Sequence, residues 1–103
     1  MSDPLTELGT TLVAEGKYRE AVPVLTSAVR LLERMNLSSP MLADARFPLA
    51  QARWALGDDR PAARALAVAA LDTYKTLPGY KTWADKVKAW LADKPKGKGR
   101  VRP

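Results

Sequence analysis

Leu8-Gly9-Thr10-Thr11-Leu12-Val13-Ala14-Glu15-Gly16-Lys17-Tyr18-Arg19-Glu20-Ala21-Val22-Pro23-Val24-Leu25-Thr26-Ser27-Ala28 carries the pattern that decides the fold. Moved 41 residues along the chain, Leu8, Gly9, Gly16, Ala21, Leu25 and Ala28 fall on Leu49, Ala50, Gly57, Ala62, Leu66 and Ala69. Small and apolar residues held in one register mark an internal repeat of a supersecondary unit. Such a unit cannot bury its apolar face alone, so copies stack into a solenoid, whose surface typically holds other proteins.

Periodicity and punctuation predict five helices, and no strand pattern occurs. The first runs from about Pro4 to Glu15, with Asp3 as cap, Pro4 in the first turn and Gly16 as stop. Tyr18, Ala21, Val22, Leu25, Ala28, Val29, Leu32 and Met35 place a second between about 18 and 35. After the loop Asn36-Leu37-Ser38-Ser39, a third extends from Pro40 to Leu56 and stops at Gly57. Asp58 or Asp59 caps a fourth that ends near Leu77, ahead of Pro78-Gly79. Thr82 and Asp85 form a capping-box-like pair opening the fifth, about 82–93, with Trp83, Val87, Trp90 and Leu91 on one face. A one-sided helix at the end of a stack covers the last apolar face. Pro23 lies near enough to a helix start to be tolerated. Pro48 either kinks the third helix or marks a later start.

Composition bounds the chemistry. The 103 residues suffice for one small domain, and 47% apolar with 27% charged residues is ordinary for a globular chain. There is no cysteine for a thiolate or disulfide and no histidine for a general base or metal site. Without a base to activate Ser or Thr, nucleophilic catalysis has no support, so no enzyme activity, cofactor or metal is expected. Asp58-Asp59 reads as helix-start chemistry rather than a metal site. Lys96-Gly97-Lys98-Gly99 lacks the strand-to-helix setting of a phosphate loop. No apolar stretch approaches the ~20 residues that cross a bilayer, and no signal peptide is visible, so a cytoplasmic setting is expected.

The net charge of +6 belongs to one end. Residues 94–103 hold Lys94, Lys96, Lys98, Arg100 and Arg102 and no acidic residue. The rest of the chain sets 12 basic residues against 11 acidic ones, close to neutral. The domain is therefore assigned to 1–93 and a flexible basic tail to 94–103. Such a tail binds phosphates without sequence preference, which makes non-specific nucleic-acid binding the alternative function. No aromatic residue is interleaved for base stacking.

The run Leu8-Gly9, Gly16-Lys17-Tyr18, Ala21, Leu25 and Ala28 resembles the tetratricopeptide repeat. The 41-residue spacing exceeds that family's usual ~34 and is similar to the longer repeats of kinesin light chains. Ala45-Arg46-Phe47, Gly57-Asp58, Ala62 and Ala69, on through Trp90-Leu91, also resemble the helical repeats trailing some bacterial serine/threonine kinases. The resemblance implies a right-handed all-α solenoid of two hairpins, about 4–36 and 40–77, plus a capping helix. The second copy departs from the pattern, since Leu12 becomes Arg53 and Tyr18 becomes Asp59. Leu56 and Trp54 are expected to compensate, and the Arg53 stem to cover apolar surface.

In that family the first helix of each pair lines a concave face. By register the face takes Thr6, Thr10 and Val13 from the first repeat, and Phe47, Gln51 and Trp54 from the second. The terminal helix adds Asp85, Lys88 and Ala92. The resemblance implies a protein-interaction module that seats a peptide or helix of a partner there. The family's carboxylate clamp is missing, because Thr6, Thr10, Pro48 and Gln51 occupy its Asn and Lys places. Two repeats are few for a stack, so Leu5, Leu8, Leu12 and Val13 of the first helix are expected to be covered by a second copy or a partner.

Overall fold

A computed structural model describes residues 4–35, 40–57 and 59–92. They form α1 (Pro4–Ala14), α2 (Tyr18–Arg34), α3 (Pro40–Leu56), α4 (Arg60–Lys75) and α5 (Lys81–Ala92), with no strand among them. The chain is all-α. The expected 36–39 loop, the caps at Asp3 and Asp58, and the 94–103 tail lie outside the described residues.

Proline and glycine set the boundaries. Pro4 and Pro40 open α1 and α3, and Pro61 sits in the first turn of α4, where a missing N–H costs no helical hydrogen bond. Gly16, at φ 78°, ends α1: its N–H reaches the Val13 carbonyl at 3.0 Å and the Lys17 N–H reaches Leu12 at 2.8 Å. This paired closure satisfies two terminal carbonyls and needs the left-handed conformation that glycine adopts freely. Of the two candidate caps of α4, Asp59 accepts the Ala62 N–H at 3.3 Å. Pro23 and Pro48 both lie inside uninterrupted helices, so the later start for α3 does not occur. The opening of α5 also differs from expectation. It begins at Lys81, the Tyr80 carbonyl accepts the Ala84 N–H, and Asp85 pairs with Lys81 at 3.2 Å. Thr82 therefore lies within the helix rather than capping it.

α3 is the central helix. It packs on α1, α2 and α4, while α1 packs on α2 and α5 on α4. Its buried residues, Leu42, Ala43, Ala45, Pro48, Leu49, Ala50 and Ala52, cover more than half its circumference, so it serves two interiors. One gathers Leu25, Val29, Leu32, Leu42 and Leu49; the other gathers Ala43, Ala50, Ala67, Ala70, Tyr74, Val87 and Leu91. Leu66 touches both. Gly9 faces Leu25 so closely that an added Cβ would overlap the Leu25 Cγ and Cδ2. The small residue in the repeat is thus there for helix approach.

Burial also corrects the repeat. α2 buries Ala21, Leu25, Ala28 and Leu32, whereas α4 buries Ala63, Ala67, Ala70 and Tyr74. These sets are 42 residues apart, not 41. Ala62, Leu66 and Ala69, the sequence matches, are only partly buried. An added residue before α4 rotates it by about 100° relative to the alignment. In α1 the four apolar residues do not form one uncovered face: Leu5, Leu12 and Val13 pack on the first interior, and Leu8 alone stays 50% exposed. Trp83 likewise leaves the buried face of α5, where Ala84, Val87 and Leu91 sit instead.

Buried Tyr74 donates its hydroxyl to the Asp44 Oδ1 at 2.5 Å, tying α4 to α3. Burial first, then the hydrogen bond to and charge of Asp44, and lastly Tyr80, push its ionisation well above the usual tyrosine range. Tyr80 stacks on Tyr74 at 5.7 Å and 11° and meets Trp83 edge-on at 5.5 Å. Among the described residues no helix is long and apolar enough to cross a membrane.

Candidate partner-binding cleft

Thr10, Val13 and Ala14 fall at i, i+3 and i+4 on α1, and Gln51, Trp54 and Ala55 repeat that spacing on α3. Each pair is 41 residues apart, so α1 and α3 present equivalent positions to one side. With Tyr18 and Trp90 they line a cleft of about 510 Å³. No lining side chain is charged. The walls offer hydroxyl, amide and indole groups among apolar ones, a combination suited to a peptide rather than to an ion or a phosphate.

Trp90 forms the far wall. Its ring meets Phe47 at 5.7 Å and 88°, and Trp54 at 5.9 Å and 77°, both edge-to-face, the favoured aromatic arrangement. Trp54 is held from another side as well: the Arg60 guanidinium lies 5.1 Å from its ring centroid, and Arg60 Nε donates to its carbonyl at 3.3 Å. These contacts hold the two indoles against each other and against Phe47 and Arg60.

Of the residues expected on this face, Thr10, Val13, Gln51 and Trp54 come together. Thr6 does not, being 2% exposed inside the helix packing. Phe47 is partly buried and buttresses Trp90 from behind. Lys88 is exposed and lines a separate recess with Tyr74, Leu77, Pro78 and Asp85. Ala14, Tyr18, Ala55 and Trp90 line the cleft but are missing from the expectation, and the largest of them is Trp90. Its spacing with Val87 and Leu91 reads as core, and only packing shows its ring turned towards Trp54. Leu56 is 39% exposed and does not compensate for Arg53, whereas Trp54 and the partly buried Arg53 do pack.

No group of three or more acidic side chains that could hold a metal ion occurs among the described residues. No family model, curated protein or solved structure matches the chain.

Proposed function

We propose that this chain is a protein-interaction module, a right-handed stack of two helical hairpins closed by α5, that binds a peptide or helix of a partner in the Thr10–Gln51–Trp54–Trp90 cleft. The observation that carries this reading is the convergence of residues 41 apart on one neutral, aromatic-walled cleft. The packing order supports the tetratricopeptide-like part of the reading. α1 touches α3, its counterpart one hairpin on, and α3 touches both helices of the preceding hairpin. A binding role also fits a chain without histidine or cysteine. Self-association through α1 draws its support from Leu8 alone, since the other three apolar residues turn inward.

The test is selection of peptides from a displayed random library on the full chain, followed by anisotropy titration of those recovered. Thr10→Ala with Gln51→Ala, and separately Trp54→Ala, should weaken binding by about tenfold or more while the variants stay folded by circular dichroism. Removing residues 94–103 should leave peptide affinity unchanged. The rival reading rests on the five basic residues of that segment. It requires the opposite: salt-sensitive DNA binding that vanishes with the deletion, and peptides indifferent to Thr10, Gln51 and Trp54.

A further inference from the structure

On another side of the bundle, α2, α3 and α4 enclose a second cleft of about 420 Å³. Its floor is apolar, formed by Val29, Leu49 and Leu66, and the α4 wall is made of Ala62, Ala65 and Ala69. The rim is cationic. Arg30, Arg46 and Arg53 line it against one acidic residue, Glu33, and Glu33 is already engaged by Arg46 at 3.3 Å. An adjoining recess adds Arg34 beside Arg30 and Glu33. In a body that is nearly neutral, this is a local concentration of positive charge.

Two polar atoms in the lining residues lack a protein partner. Thr26 Oγ1 and Arg53 Nε are both buried without a hydrogen bond. A buried donor left unpaired is costly, and an ionised acceptor reaching it would form the stronger, charge-assisted kind of bond. Arg53 is also the position at which the second repeat departs from the first, where Leu12 stands. Arg53 is partly buried and lines this cleft, so the departure adds a third cation beside Arg30 and Arg46.

We propose that the α2–α3–α4 cleft is a second docking surface, for an acidic peptide segment of a partner protein. Carboxylates of that segment meet Arg53 and Arg30, and its apolar side chains seat on Val29, Leu49 and Leu66. Charge complementarity selects an acidic occupant. The apolar floor and the alanine wall select a peptide over a nucleic acid, because no aromatic ring lines the cleft to stack a base. The surface shares no lining residue with the Trp54–Trp90 cleft, so the two clefts are separate surfaces.

The probe is a fluorescein-labelled 14-residue helical peptide of Glu and Leu, with Leu at every third and fourth position. Its counterpart carries Gln for Glu, and a 20-nucleotide single-stranded DNA is titrated in parallel. With the full chain, the Glu peptide should bind saturably and the Gln peptide at least tenfold more weakly. Arg30→Gln and Arg53→Gln should each lower Glu-peptide affinity by about tenfold, and Trp54→Ala should not change it. Both arginine variants keep residues 94–103, so attraction to the basic tail cannot produce that difference. Should Arg53→Gln unfold the chain, exposed Arg30 together with Arg53→Lys carries the test, the lysine keeping charge but losing the fork geometry. Equal binding of the two peptides, no binding of either, or affinity indifferent to Arg30 and Arg53 overturns the proposal. So does DNA binding that depends on Arg53 in the absence of peptide binding, or a dimer that Arg53→Gln dissociates.

Discussion

Both interiors are lined with alanine, Ala21, Ala28, Ala45 and Ala52 in the one between α2 and α3 and Ala43, Ala50, Ala67, Ala70 and Ala84 in the one between α3, α4 and α5, but the first adds Leu25, Val29, Leu32, Leu42 and Leu49 where the second adds only Tyr74, Val87 and Leu91. The two halves differ in their larger side chains. In the first, five branched aliphatic side chains plug the space between the helices. In the second, fewer large side chains are buried, and rings at the margin, Phe47, Tyr80 and Trp90, pack against them. The first half is therefore sensitive to losing volume and the second to gaining it. The aromatic margin of the second half also supplies the Trp90 wall of the cleft.

The largest effect is expected at Leu25, which is fully buried. Leu25→Ala should cost about 3–4 kcal/mol in urea denaturation, and a loss under 1 kcal/mol would show that the leucine interior is not a plug. Ala67→Leu probes the other half in the opposite sense. With Ala67 wholly inaccessible, the added volume should destabilise by about 2 kcal/mol, whereas a neutral or stabilising result would mean that space remains between α3 and α4.

Tyr74→Phe should cost about 1 kcal/mol near neutral pH, through loss of the hydroxyl bond to Asp44. Its pH dependence is more telling. Because ionisation of Tyr74 is raised in the fold, the unfolded chain releases this proton first as pH climbs past about 10. The stabilisation is complete below that pH and is lost progressively above it. Thermal melts from pH 8 to 11 should show a steeper alkaline decline for the native chain than for Tyr74→Phe; parallel curves would refute the assignment. The smallest effect belongs to the exposed Lys81–Asp85 pair, where Lys81→Ala should change stability by less than about 0.5 kcal/mol.

Much of the architecture is legible without coordinates because its signals are local. Pro4, Pro40, Gly16 and Gly57 act through their own dihedral limits, and the five helices start or end within a few residues of where those limits place them. The face of α2 is legible too, since Leu25, Val29 and Leu32 recur at helical spacing with Arg19, Glu20, Arg30, Glu33 and Arg34 on the opposite side. The face of α4 is not. Ala62, Ala63, Ala65, Ala67, Ala69 and Ala70 spread over more than half the helix circumference, and so small a side chain specifies no orientation. The repeat match chose Ala62, Leu66 and Ala69, one residue out of phase with the buried set.

The candidate cleft divides in the same way. Thr10, Val13, Gln51 and Trp54 could be placed from register, because two helices in equivalent positions must present equivalent residues. Thr6, Phe47 and Lys88 could not, because whether a residue near the edge of a helical face meets water or a neighbour depends on which helix packs there. Trp90 was hidden by its own size: at helical spacing an indole satisfies a core pattern and a cleft wall equally well. By itself the sequence determined helix type, helix limits and the equivalence of α1 with α3, all set by covalent geometry and short-range periodicity. The rotation of α4, the turning of Trp90 towards Trp54, and the gathering of Arg30, Arg46 and Arg53 around one apolar floor were decided by tertiary structure, because each depends on side chains far apart in the chain competing for the same space.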